Sequence, residues 1–250
     1  MRSNKPLILS TLTLLGAASD ADADAWKHRL TPYLWGAGIS GTTSVGPITS
    51  DVDVGFSDII SNLKIGGMLT YRGDHERLAI MVDLIYVDLE GDKSSAAGPL
   101  QIDATAKLRE TIFEADVGYH LTERTVGFVG LRYNDISPDI AVTTTGPGSG
   151  VTLSGSGSES WIDPLIGIST EIPLSERWSF ALRGDVGGFG IGSDFAWQAV
   201  AAVRWQAGKT MSVVGGYRYL SADYQNGSGA SLFKYDMSMS GPALGVAFAF

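Results

Sequence analysis

Five arginines and six carboxylates sit where an alternating strand would turn them to one side. They are Arg72, Arg132, Arg183, Arg204 and Arg218, with Asp83, Glu110, Glu114, Asp116, Asp163 and Asp185. In a narrow enclosed space such a set has two uses. The charges can pair across the space and fill it, because an unpaired buried charge is costly. Alternatively, they can line the constriction of a narrow polar pore.

Other chemistry finds less support. The chain has three histidines, His28, His75 and His120, and no cysteine. A general base must reach its nucleophile within hydrogen-bond distance. These histidines fall before the first strand or at short turns, away from the rim where a surface nucleophile would work. No catalytic residue is assigned, and the chain is read as a non-enzyme. Asp51, Asp53 and Asp58 suggest a calcium loop, but Gly55 comes one place early and Asn62 stands where a bidentate Glu is needed. No metal or other cofactor is expected. A formal net charge of −9 argues against nucleic acid, whose phosphates call for a basic surface.

The elements that position the charges read as strands. Between 195 and 205, Phe195, Trp197, Ala199, Ala201, Val203 and Trp205 share one face, and Gln198 and Arg204 share the other. Trp197 and Trp205 lie eight residues apart, about 20 Å along the normal of a membrane crossed by a tilted strand. The same alternation marks strands near 29–40, 63–72, 77–89, 102–120, 125–136, 160–172, 178–189, 211–221 and 234–250. It places Tyr33, Trp35, Tyr71, Tyr86, Trp178, Trp197, Trp205, Tyr217 and Tyr219 outward, as interfacial girdles. Links after the second, fourth, sixth and eighth strands are tight, and the others are mostly longer and rich in Gly, Ser and Asp. Short inner turns alternating with long outer loops mark a membrane barrel. In the first long link, 56–63 reads as a short helix with Ser57 as N-cap, either plugging the mouth or lying exposed. Segments 140–145 and 151–154 read as a hairpin above the membrane, around a Gly-rich tip. In the last strand, Leu244, Val246, Phe248 and Phe250 share one parity, and Tyr235, Met237 and Met239 the other. A β-bulge at 240–242 would bring both sets outward; without it the methionines point into the lumen.

Arg2, Lys5, the apolar stretch 6–18 and the small residues to Ala25 read as a secretory signal peptide, 1–25, with a mature domain of 26–250. No later apolar run approaches the roughly 20 residues of a transmembrane helix. The final Gly245-Val246-Ala247-Phe248-Ala249-Phe250 resembles the C-terminal assembly signal of Gram-negative outer-membrane β-barrels. That resemblance implies recognition of Phe248 and Phe250 by the barrel-assembly machinery. Residues 32–35 and 52–60 also resemble a group of uncharacterised proteobacterial outer-membrane proteins, a likeness that carries no known activity.

The expectation is an all-β protein: an antiparallel up-and-down transmembrane β-barrel of ten strands, with eight as the alternative. It would sit in the bacterial outer membrane with both termini periplasmic, in contact with membrane lipid and lipopolysaccharide. Its function would be that of a structural barrel or a narrow solute pore, with a small solute as partner in the second case. The alternative is a surface binding or adhesion protein acting through its outer loops.

Overall fold

Period-two alternation of apolar and small or polar residues builds a single sheet here because each strand of the closed wall finds an antiparallel neighbour on both sides. The computed structural model describes residues 26–97, 100–146 and 149–250; the signal peptide read at 1–25 lies outside the described residues. The strands are β1 (Lys27–Trp35), β2 (Gly38–Val45), β3 (Ile48–Val54), β4 (Leu63–His75), β5 (Leu78–Ala97), β6 (Leu100–His120) and β7 (Thr125–Gly146). They continue with β8 (Ser149–Ser156), β9 (Glu159–Pro173), β10 (Trp178–Gly187), β11 (Phe195–Gln206), β12 (Met211–Asn226) and β13 (Phe233–Ala249).

Ten staves close the barrel. β1 and β2 form one stave, since both pair with β13 in the same register, from Arg29↔Ala249 to Trp35↔Ala243 and from Gly38↔Ser240 to Val45↔Phe233. β1 also pairs with β4, and the order then runs β5, β6, β7, β9, β10, β11, β12, β13. β3 and β8 are extensions at the long-loop end, paired with β2 and β7 respectively. The four tight turns gather at the other end, where both described termini also lie and His28 and Phe250 exchange backbone hydrogen bonds.

Three expectations change. β13 carries no bulge: its register against β12 runs unbroken from Met211↔Phe248 to Asn226↔Phe233. Met237 and Met239 are accordingly buried in the lumen. Pro242 is tolerated because a residue in an antiparallel ladder turns its N–H and C=O to the same neighbour. Its carbonyl accepts from Gly36 N (2.8 Å), so the missing N–H faces the break between β1 and β2 and costs the β12 ladder nothing. The short helix α1 (Phe56–Ser61) exists, but its N-cap is Gly55 rather than Ser57, and it buries no residue. It therefore does not plug the barrel.

The third change concerns β1. Tyr33 and Trp35 point into the lumen, not outward; Trp35 is buried and Leu34 is 70% exposed. Arg29, two residues before Thr31 on the same face, faces Glu171 inside. A guanidinium on the apolar outer wall would be far more costly than either aromatic ring in the lumen, where Tyr and Trp find partners for their polar tips.

The outer face is apolar in a continuous belt: Ile80, Leu84, Phe113, Val117, Val129, Leu131, Ile162, Ile166, Ile168 and Leu182 are all exposed. Above Tyr86 the outward positions of β5 and β6 turn charged, with Asp88 against Arg109 (3.9 Å) and Glu90 against Lys107 (3.2 Å). β5, β6 and β7, at 20, 21 and 22 residues, are about twice the 9–11 residues that cross a bilayer. The long-loop end thus projects well beyond the belt as sheet, not as coil.

Candidate functional site in the barrel lumen

Residues two apart on the inner face stack the lumen in layers. Along β6 the inward order from the turn end is His120, Asp116, Glu114, Ile112, Glu110. β7 offers Phe128, Arg132 and Asn134 across from them, and Gly130 makes room, because a Cβ there would overlap the Asp116 carboxylate.

At the turn end Arg72 donates through Nε and Nη2 to Asp74 (2.8 and 2.7 Å), and His120 Nε2 lies 2.9 Å from the same carboxylate. Next, Glu171 receives Arg204 (2.6 Å), Ser179 (2.8 Å) and, more distantly, Arg29 (3.6 Å). The middle layer is the densest. Arg132 bridges Glu114 (2.5 Å) and Asp185 (2.7 Å), while Arg183 bridges Glu114, Asp116 (3.0 Å) and Asp185 (3.3 Å). Gln198 donates to Asp185 (2.8 Å), and the Arg183 guanidinium lies over the Phe128 ring at 4.4 Å. Arg132 and Glu114 are each 1% exposed. Beside this layer Asp83 accepts from Arg218 (2.6 Å), Tyr33 (2.9 Å) and Thr70 (2.8 Å).

Toward the loop end the charges thin out. Glu110 accepts from Tyr235 (3.3 Å). Asp163 accepts from Trp161 Nε1 (3.0 Å), Asn134 (3.2 Å) and both the backbone and hydroxyl of Ser193 (2.6 and 2.9 Å). Between and above them Trp35, Ile85, Ile112, Leu220 and Met239 pack into an apolar layer, followed by Ile136, Trp161, Tyr224 and Phe233. Trp35 donates to the Gly241 carbonyl (3.2 Å) and stacks on Arg218 at 5.0 Å.

All eleven charged positions taken from the sequence lie on this inner face, and the structure divides them among several separate groups. Sequence reasoning missed Arg29, Asp74, His120 and Glu171, which join them. The parity of Arg72 and Asp163 was the signal for Asp74 and Glu171, each an even number of residues from an inward position on its own strand. On the outer face Trp178 meets Trp205 (6.3 Å between rings) near the turn end, and Trp197 stacks on Tyr219 (4.5 Å) nearer the loops. Tyr71 stacks with His28, which in turn stacks on Phe250 at 5.4 Å. Tyr217 and Phe248 are exposed on the same wall, with Tyr86 half-buried.

No protein-family description and no curated protein sequence matches the chain. Solved structures do. The outer membrane protease OmpT from Escherichia coli is similar over 93% of this chain and 99% of its own, with a TM-score of 0.54 at 5% identity. The fold is that of the Gram-negative outer-membrane β-barrels. The translocator domain of the autotransporter NalP from Neisseria meningitidis (TM-score 0.40, 15% identity, 89% of this chain and 88% of that one) is also similar. So is the attachment invasion locus protein Ail of Yersinia pestis (0.35, 11% identity, 91% and 99%). Identities this low speak to architecture and carry no activity across.

Proposed function

We propose that this protein is a non-enzymatic integral barrel of the bacterial outer membrane whose lumen is closed to solute flow. The single observation that carries the reading is the filled cross-section. Arg132 and Glu114, each 1% exposed, sit beneath an apolar layer of Trp35, Ile85, Ile112, Leu220 and Met239. A ten-stranded barrel encloses little beyond side chains, and in these two layers the side chains pair or pack. The closed form is therefore favoured over the narrow pore. The exposed apolar belt, flanked by aromatic residues, supports residence in lipid with the turns and both termini on the periplasmic side. Phe248 and Phe250 end an outward apolar row, as the assembly machinery would require. The histidines support a non-enzyme: His28 stacks on Phe250, His75 stacks on Trp26, and His120 is held by Asp74, all at the turn end. Purified folded protein in a planar bilayer is expected to stay electrically silent, while Trp35→Ala with Met239→Ala opens intermittent current. Regular current steps from the wild type would establish the pore instead.

One observation favours a second reading, surface binding. β5 to β8 form a sheet that rises past the charged rows above the belt, and β13, β2 and β3 form another. Such extended strands offer lipopolysaccharide or another surface ligand a rigid scaffold.

A further inference from the structure

The turn-end half of the lumen holds more guanidinium donors than its carboxylates use. A cavity of about 210 Å³ opens between β1, β4, β5, β9, β10 and β11, lined by Arg29, Arg72, Arg124, Arg183 and Arg204 with Asp83 and Glu171, while Asp74 holds one side of Arg72, and Glu114, Asp116 and Asp185 hold one side of Arg183. Asp83 is spent on Arg218, Tyr33 and Thr70. Glu171 alone serves both Arg29 and Arg204. Arg124 forms no ion pair among the described residues.

The unused donors point at one place. Arg72 Nη1 and Arg183 Nη1 both approach the Met81 thioether, at 3.9 and 4.0 Å, and a thioether is a weak acceptor. Arg204 Nε and Ser169 Oγ are buried with no hydrogen-bond partner among the described residues. Ser169 and Met81 both line the cavity. Buried donors of this kind normally have a partner, and what they lack in common is an acceptor with several oxygens and negative charge. The space is ample: at about 30 Å³ per water it equals roughly seven waters.

The geometry points to a binding site for a small oxyanion, phosphate in character, held between Arg72, Arg183 and Arg204 with Ser169 as a neutral donor. Planar guanidinium forks match such oxygens in pairs. The ligand enters from the turn end, because the apolar layer of Trp35 and its neighbours shuts the loop end. The site lies inside the wall, so a free ion, not a lipid headgroup, is its source.

The test uses full-length mature protein, refolded in detergent and shown folded by heat-modifiable gel migration, with inorganic phosphate as the probe in equilibrium dialysis. One saturable site per barrel is expected, weakening as salt rises. Ser169→Ala, which removes a donor but no charge, should weaken binding severalfold. Arg204→Gln should weaken it at least tenfold, and Arg109→Gln, outside the barrel, should leave it unchanged. Absence of saturable binding by the folded wild type overturns the inference. So does binding that survives both Ser169→Ala and Arg204→Gln, or binding that short-chain phosphatidylglycerol displaces and free phosphate does not. A closed lumen and an anion site fail independently, since conductance reads the first and dialysis the second.

Discussion

Arg132 occupies a position where removal of a single side chain takes an ion partner from two buried carboxylates. It donates to Glu114 and Asp185 at once, deep in the wall-to-wall network. Removing one partner of a buried pair strands the other's charge in a low dielectric, at about 3–5 kcal/mol. Arg132→Met should therefore lower the stability of the folded barrel by that amount, read from urea unfolding in lipid vesicles. Adding Glu114→Gln should recover part of the loss, because the double variant leaves less charge uncompensated. If Arg132→Met unfolds like the wild type, the network does not hold the barrel together. Tyr33 and Trp35 give the converse lesson. Their types fit an interface and a lumen equally well, since each joins an apolar body to a polar tip. The sequence around them was decisive only through Arg29, whose parity they share and whose charge belongs inside.

The strands were legible wherever long apolar side chains alternated with small or charged ones, as in β11, and their order followed from the tight turns. Two things were not legible. The upper part of β5, most of β2 and all of β3 are rich in Gly, Ser, Thr and Asp; without a continuous apolar face they read as loop, and only pairing with a neighbour makes them strand. The lumen assignments followed from parity, but parity cannot say which Arg meets which carboxylate, because partners come from strands far apart in sequence, as Arg218 and Asp83 do. The seam between the first and last staves is the element most exposed to mutation. At Gly241 a Cβ would collide with the Gly36 carbonyl, on backbone that has no room to yield. Gly241→Val should thus pry β13 from the β1–β2 break and cost about 1–3 kcal/mol, as overpacking does. The expected readout is a lower temperature for the shift from folded to unfolded gel migration. An unchanged midpoint would mean that the seam tolerates a gap.

For the molecule as a whole, the question is whether the projecting sheet helps to hold the barrel or stands on it. β8 pairs with β7 alone, from Asp139↔Ser156 to Gly146↔Ser149, and the closed wall resumes below at Ile136↔Glu159. The ion network and the apolar layers draw no residue from 143–156. Gly157 N already bonds to the Pro138 carbonyl (3.0 Å), so the chain is brought back together beneath the hairpin before the lumen layers begin. Long surface connections also add little to closure entropy. Deleting 143–156 should accordingly leave membrane assembly, gel migration and conductance as they are, and remove only what the projecting sheet does. Loss of a binding activity with the barrel intact would place that activity on the projecting sheet. A failure to insert would show instead that the upper strands guide closure, with β7 needing its extension to pair before the staves below can meet.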